Sequence, residues 1–227
     1  MKKKNNILCI AAHPDDEALG VGGTLIKHAQ YGDKVFILIL SLGEGSKRKN
    51  NEKNPDRKKN AKQWAKTNNC KLLKIFNFPD QKLDTIPQLN IVKKIERAVN
   101  EIKPDIVYIH HPGDLNHDHQ IAAQTSLSAI RPISYHNINP TVLAFETPSS
   151  SEQAPMIGKY IFSPNYFVCI TKQWKSKMNS IKIYSKELKK FPHPRSSKAI
   201  EALAIRRGSE SGLEKAEAFV ILRKNWL

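Results

Sequence analysis

Short, nearly unbroken apolar runs alternate along the chain with longer stretches in which apolar residues recur every three or four positions. Residues 7–12 and 35–40 read as buried strands, and 72–76 and 105–110 continue the series. Further strands are expected over 141–145, 166–170 and 219–222. Between them, residues 18–31 predict a helix, with Gly20, Gly22 and Gly23 near its start, where the backbone can pack close to a sheet or a site. A polar Lys/Asn-rich loop from 43 to 60 runs into a helix at 56–67. The helix over 87–102 has the clearest period: Leu89, Val92, Ile95, Val99 and Ile102 share one face, and Pro87 suits its first turn. Helices are also expected over 119–130, 172–189 and 196–206. This alternation predicts an α/β fold, a Rossmann-like, mostly parallel sheet with helices on both faces. With 227 residues, no internal repeat and no dividing linker, residues 1–227 read as a single domain.

In such sheets ligands bind beyond the carboxyl ends of the strands. The first strand runs directly into His13-Pro14-Asp15-Asp16-Glu17. The fourth runs into a segment, 110–119, that holds His110, His111, His117, His119, Asp114 and Asp118. Two polar clusters at the ends of two parallel strands converge at one edge of the sheet. One His and one Asp from the first, with one His from the second, make three protein ligands and leave a fourth position for water. That is the arrangement of a catalytic zinc, with a spare carboxylate to work on the water. His117 and His119 compete for the ligand of the second cluster.

Other polar residues read less sharply. Asp114 and Asp118 suit the cap of the following helix as well as catalysis. Glu17 reads as a first-turn helix residue, His110 and His111 as strand-end packing, His28 as surface, and His136 as part of an undetermined loop. His193 and Arg195, beside Pro192 and Pro194, form a rigid polar loop suited to substrate contact. Arg131, just past the site helix, could reach a phosphate.

The net charge of +16 is drawn partly from clusters at Lys2 to Lys4, Lys47 to Lys49, Arg57 to Lys59 and Lys172 to Lys190. It fits either a solvated lysine-rich surface or attraction to an anionic group such as a nucleotide-sugar, a lipid phosphate, a membrane surface or a nucleic acid. No helix-turn-helix, RNA-binding aromatic signature or zinc-finger spacing supports nucleic acid. No segment approaches the roughly 18 apolar residues of a membrane span, and the first apolar run is too short for a signal peptide. Cys9, Cys70 and Cys169 are far apart and sit among apolar residues. They read as reduced core thiols of a cytoplasmic protein.

The same residues resemble the PIG-L/LmbE-like family of zinc-dependent N-deacetylases. Residues 12–17, Ala-His-Pro-Asp-Asp-Glu, match its first motif, and Asp114, Asn116, Asp118 and His119 match its second. Stretches at 145–150, 192–196, 207–208 and 216–219 resemble bacterial surface-sugar members, so the likeness spans nearly the whole chain. It implies that His13, Asp16 and His119 hold Zn2+, that Asp15 is the general base, and that an acetyl group is removed from an N-acetylated amino sugar. A nucleotide- or lipid-linked sugar of a cell-surface glycan is the implied substrate, with an anionic carrier and a homo-oligomer left open. Many relatives carry a His where this chain has Asn116. The oxyanion contact then falls to Asn116 itself, His117, His193 or the metal, while Asp118 stands beside the ligand His119. Two other readings stay open: a metal-dependent hydrolase of a non-sugar amide or ester, and a non-enzymatic basic binding protein.

Overall fold

A computed structural model describes residues 4–43, 56–132 and 139–225. His136 and the basic cluster at Lys47 to Lys49 lie outside the described residues. Among the described residues, seven strands form one sheet: β1 (Asn6–Ala11), β2 (Lys34–Ser41), β3 (Lys71–Phe78), β4 (Ile106–His110), β5 (Thr141–Phe145), β6 (Tyr166–Cys169) and β7 (Ala216–Arg223). Their order is β3-β2-β1-β4-β5-β7-β6. β1 to β5 run parallel, and β7 lies antiparallel between β5 and β6. Among the described residues, six α-helices cover the sheet: α1 (Asp16–Gln30), α2 (Arg57–Thr67), α3 (Gln88–Ile102), α4 (His117–Ala129), α5 (Trp174–Ile181) and α6 (Ser197–Ser209).

Strand alternation explains the two-sided cover. In β1, Leu8 and Ile10 face a core completed by α3 and α4, while Ile7 and Cys9 face one completed by α1, α2 and α5. A strand buried on both faces reads as a continuous apolar run. Phe145 and Trp64 are fully buried in the second core, and a Phe side chain taken wholly out of water contributes roughly 1.5–3 kcal/mol.

Several expectations change in detail. The predicted helix at 172–189 is broken: α5 stops at Ile181, and a single 3-10 turn, Lys182–Tyr184, follows. Tyr184 leaves the helical path to bury its ring and bring its hydroxyl to Glu17. On α3, Leu89 is exposed and Ile91 takes its place in the buried stripe. α4 begins at His117, and its cap is Asn116, whose Oδ1 accepts from the Asp118 N–H at 2.9 Å, not Asp114 or Asp118. His28 is half-buried rather than on the surface, held between Asp33 Oδ2 at 2.6 Å and the Tyr108 hydroxyl at 2.9 Å. All three cysteines are free, but only Cys9 belongs to the core; Cys70 and Cys169 are half-buried near strand ends. Among the described residues, no helix is long and apolar enough to cross a membrane.

Candidate active site

The carboxyl end of β1 turns directly into α1, and this turn delivers His13, Asp15 and Asp16. Asp15 is the residue before the helix and adopts a left-handed backbone, φ 114°. Its side chain makes no capping bond. Instead its carbonyl accepts from the N–H groups of Ala18 and Leu19 at 3.1 and 2.9 Å. The Asp15 carboxylate is thus not spent on the helix cap.

Asp16 Oδ2 is the centre of the cluster. It accepts the His13 N–H at 2.8 Å, and His13 Nδ1, His110 Nε2 and His119 Nε2 each lie 3.4 Å away. The second nitrogen of His13, Nε2, lies 3.0 Å from Asp118 Oδ2 and 3.2 Å from Asp80 Oδ1. Asp118 is fixed in turn by the N–H groups of Gln81 and Leu83 at 2.8 and 3.0 Å. A carboxylate so anchored selects the tautomer with the proton on Nε2, leaving the Nδ1 lone pair directed toward Asp16. Asp114 Oδ1 sits 3.2 Å from His119 Nδ1, close enough for an ion pair though short of hydrogen-bond alignment. Asp114 is held by the hydroxyls of Ser150 and Ser151 and by the Asn116 N–H.

Electrostatics follow from this packing. Burial alone would raise the Asp16 carboxyl, but His119 and His110 hold it well below the usual carboxylate range. Burial would lower His119, yet Asp16 and Asp114 raise it to about 9. Burial lowers His110 to about 4. Asp15 is pushed up to about 6 by burial, against the pull of Arg195, whose Nη1 lies 3.0 Å from Asp15 Oδ2. Glu17, also buried, rises to about 8.

His13, Asp16 and His119 offer ligand atoms that all lie within 4.8 Å of one another. Two imidazoles and one carboxylate suit zinc and other borderline divalent ions. The buried His119 Nδ1 has no hydrogen bond, as expected of a ring held by charge and ready to ligate through Nε2. His13, Asp80 and Asp118 form a second group of similar size. Asp118 is already committed there to two backbone N–H groups, so we read it as the anchor of His13.

A cavity of about 270 Å³ opens over His13, Asp15, Asp16 and His119, and Asn116, His193 and Arg195 also line it. Asp118 is buried behind His13 and is not part of the lining. His117 is exposed and away from the cavity. Arg131 is not brought to the site. It follows the far end of α4, exposed, and donates from Nη1 to the Ser128 carbonyl at 3.2 Å. Sequence reasoning missed Arg57, Asp80 and Glu187, which also line the cavity. Asp80 carried a usable signal, because it stands just past the end of β3.

Comparison with known proteins agrees with this geometry. The family model described as PIG-L, GlcNAc-PI de-N-acetylase, matches residues 8–130, which include both polar clusters. YaiS, an uncharacterized deacetylase of Escherichia coli, is 31% identical over 154 residues, 65% of this chain and 77% of that protein. The diacetylchitobiose deacetylase of Thermococcus kodakarensis is 26% identical over 219 residues, 93% of this chain and 80% of that one. The solved structure of GalB, a 4-carboxy-2-hydroxymuconate hydratase from Pseudomonas putida, aligns with a TM-score of 0.79 at 20% identity, covering 100% of this chain and 98% of its own. At that identity the likeness speaks for the fold alone. Sheet order, strand-end cluster and family match agree, and the chain belongs to the PIG-L family of metal-dependent deacetylases.

Proposed function

We propose that the enzyme is a zinc-dependent N-deacetylase of N-acetylated amino sugars. The observation that carries this reading is the placement of Asp15 beside His13, Asp16 and His119 in one cavity. His13, Asp16 and His119 would hold the metal. Bound zinc supplies a water of lowered pKa and a Lewis acid for the amide carbonyl. Asp15 takes the proton of the attacking water and returns it to the leaving amine. A carboxyl raised by burial to about 6 is suited to both directions near neutral pH. Arg195 orients that carboxylate. Asn116 spends its Oδ1 on the α4 cap, so its amide NH2 is the part left to donate to substrate or oxyanion. His193, exposed at the cavity rim, is the second candidate for that contact.

The relatives named for diacetylchitobiose and, as a probable deacetylase, for N-acetyl-alpha-D-glucosaminyl L-malate support a sugar substrate. Lys189, His193 and Arg195 line the cavity and favour a sugar joined to an anionic carrier, a nucleotide diphosphate or lipid phosphate. The test is acetate release from N-acetylglucosamine, its 1-phosphate, N,N'-diacetylchitobiose and a nucleotide-linked N-acetyl sugar, with zinc added. Release by the wild type and its near loss in Asp15→Asn, with metal retained, is expected. Full activity in Asp15→Asn overturns the base assignment, and equal rates on neutral and phosphorylated sugars overturn the carrier.

A further inference from the structure

The backbone of Asp15 is left-handed in a residue other than glycine. Such a conformation costs about 1–3 kcal/mol and persists only where the surroundings over-determine it. α1 itself supplies no side-chain cap. Two arms reach Asp15 from the turn after α5. Tyr184 donates its hydroxyl to Glu17 Oε1, and Glu17 Oε2 accepts the Asp15 N–H at 3.1 Å. Three residues on, Glu187 Oε2 lies 3.7 Å from Arg195 Nη1, the same nitrogen that meets Asp15 Oδ2 at 3.0 Å. The other oxygen of Glu187 pairs with Arg57. The Glu187 N–H donates to the Tyr184 carbonyl at 2.8 Å, so both arms belong to one turn. Tyr184, Glu17 and Glu187 are all buried.

We propose that Tyr184 and Glu187 are positioning residues for Asp15. Tyr184 acts through Glu17 on the backbone, and Glu187 acts through Arg195 on the carboxylate. One segment thereby fixes both where Asp15 stands and where it aims; the Tyr184 arm is a relay of hydrogen bonds and the Glu187 arm an ion pair to Arg195, and neither has an atom of its own in the reaction. The inference rests on Asp15 serving as the base.

The test uses the full-length, zinc-loaded enzyme and the variants Tyr184→Phe and Glu187→Gln, with N,N'-diacetylchitobiose as substrate and crystal structures of each. A small misplacement of a reacting group costs up to about a hundredfold, so kcat is expected to fall on the order of tenfold or more. KM is expected to stay within about twofold, because ground-state binding is untouched. Zinc content should match the wild type, while Tm is expected to fall by several degrees because each variant loses a buried polar contact. Asp15 should leave its left-handed backbone in Tyr184→Phe, and its carboxylate should turn away from His13 and Asp16 in Glu187→Gln. An unmoved Asp15 with wild-type kcat in both variants overturns the inference. So does a fall in kcat that tracks a loss of zinc while Asp15 stays in place, which would mark a merely structural role. If Asp15→Asn keeps full activity, the base reading itself fails, and the crystal structures still report whether the two arms hold Asp15.

Discussion

The imidazoles of His110 and His119 lie nearly flat on one another, with centroids 4.0 Å and planes 22° apart. Two cations could not share that geometry. Burial lowers His110 to about 4, and its Nε2 accepts the Ala12 N–H at 3.0 Å. The proton therefore sits on Nδ1, which faces the Thr147 hydroxyl at 3.2 Å. His110 is a neutral plate against which the candidate ligand His119 is pressed.

Replacing that plate should loosen the metal. In His110→Ala the ring of His119 loses its support and the Ala12 N–H its acceptor. Zinc affinity is expected to fall about 10- to 100-fold, the usual cost of losing a group that orients a ligand. Competition with a chromophoric chelator measures it, and an unchanged affinity would show that His119 is held by Asp114 alone.

The metal-free protein should lose stability between about pH 6.5 and 8. Burial raises Glu17 from 4.5 to about 8, and His119 rises from 6.5 to about 9 through Asp16 and Asp114, in spite of its burial. Both folded-state values exceed the unfolded ones, so the stabilisation is present at low pH and is lost as pH rises through the folded values. His110 and Asp114 shift the other way, but their effects are complete below pH 6.5. Tm of the chelator-treated protein, followed across this window, should fall. Added zinc should raise Tm more at the upper end, because it takes the place of the His119 proton. A flat or rising Tm without metal would contradict the assignment.

Gly20→Ala should destabilise the fold. A methyl there would stand 2.5 Å from the Phe145 ring and 2.8 Å from the Glu146 carbonyl, and the backbone oxygen cannot step aside. Overpacking of this kind costs about 1–3 kcal/mol, or several degrees of Tm. Wild-type Tm in the variant would mean that α1 shifts without cost.

The two arginines proposed for substrate should separate cleanly. Arg131→Ala should leave kcat/KM unchanged, since its guanidinium lies past the far end of α4. Arg195→Ala removes a charged contact to Asp15 worth about 1.5–3 kcal/mol, and kcat/KM should fall roughly 10- to 100-fold. A measurable loss in Arg131→Ala would place substrate on a surface outside the cavity.

What the sequence revealed depended on distance along the chain. The apolar runs of β1 and β2 and the His13 to Glu17 cluster are local, so strand and site could be read together. The 105–119 segment was legible for the same reason. Arg195 meets Asp15 across 180 positions, and no periodicity encodes such a contact. Glu187 was hidden in a lysine-rich stretch that reads as one helix, because nothing local shows Tyr184 being drawn to Glu17. His28 looked solvated because Tyr108, 80 positions away, reaches it only after β4 is laid beside β1; Asp33 is a local partner just past α1.

The insertion of β7 between β5 and β6 has a consequence for biosynthesis. Synthesis is vectorial, and a ribosome that has released residues 6–169 has made every other strand of the sheet but not the one that joins β5 to β6. The missing strand also carries Glu217, which accepts the N–H groups of Gly23 and Thr24 inside α1 and pairs with Lys177 of α5. The helix that presents Asp16 therefore gains this brace only after residues 216–223 have been made. Nascent chains that stop short of β7 would expose strand edges and lack that brace, which leaves them prone to mispairing.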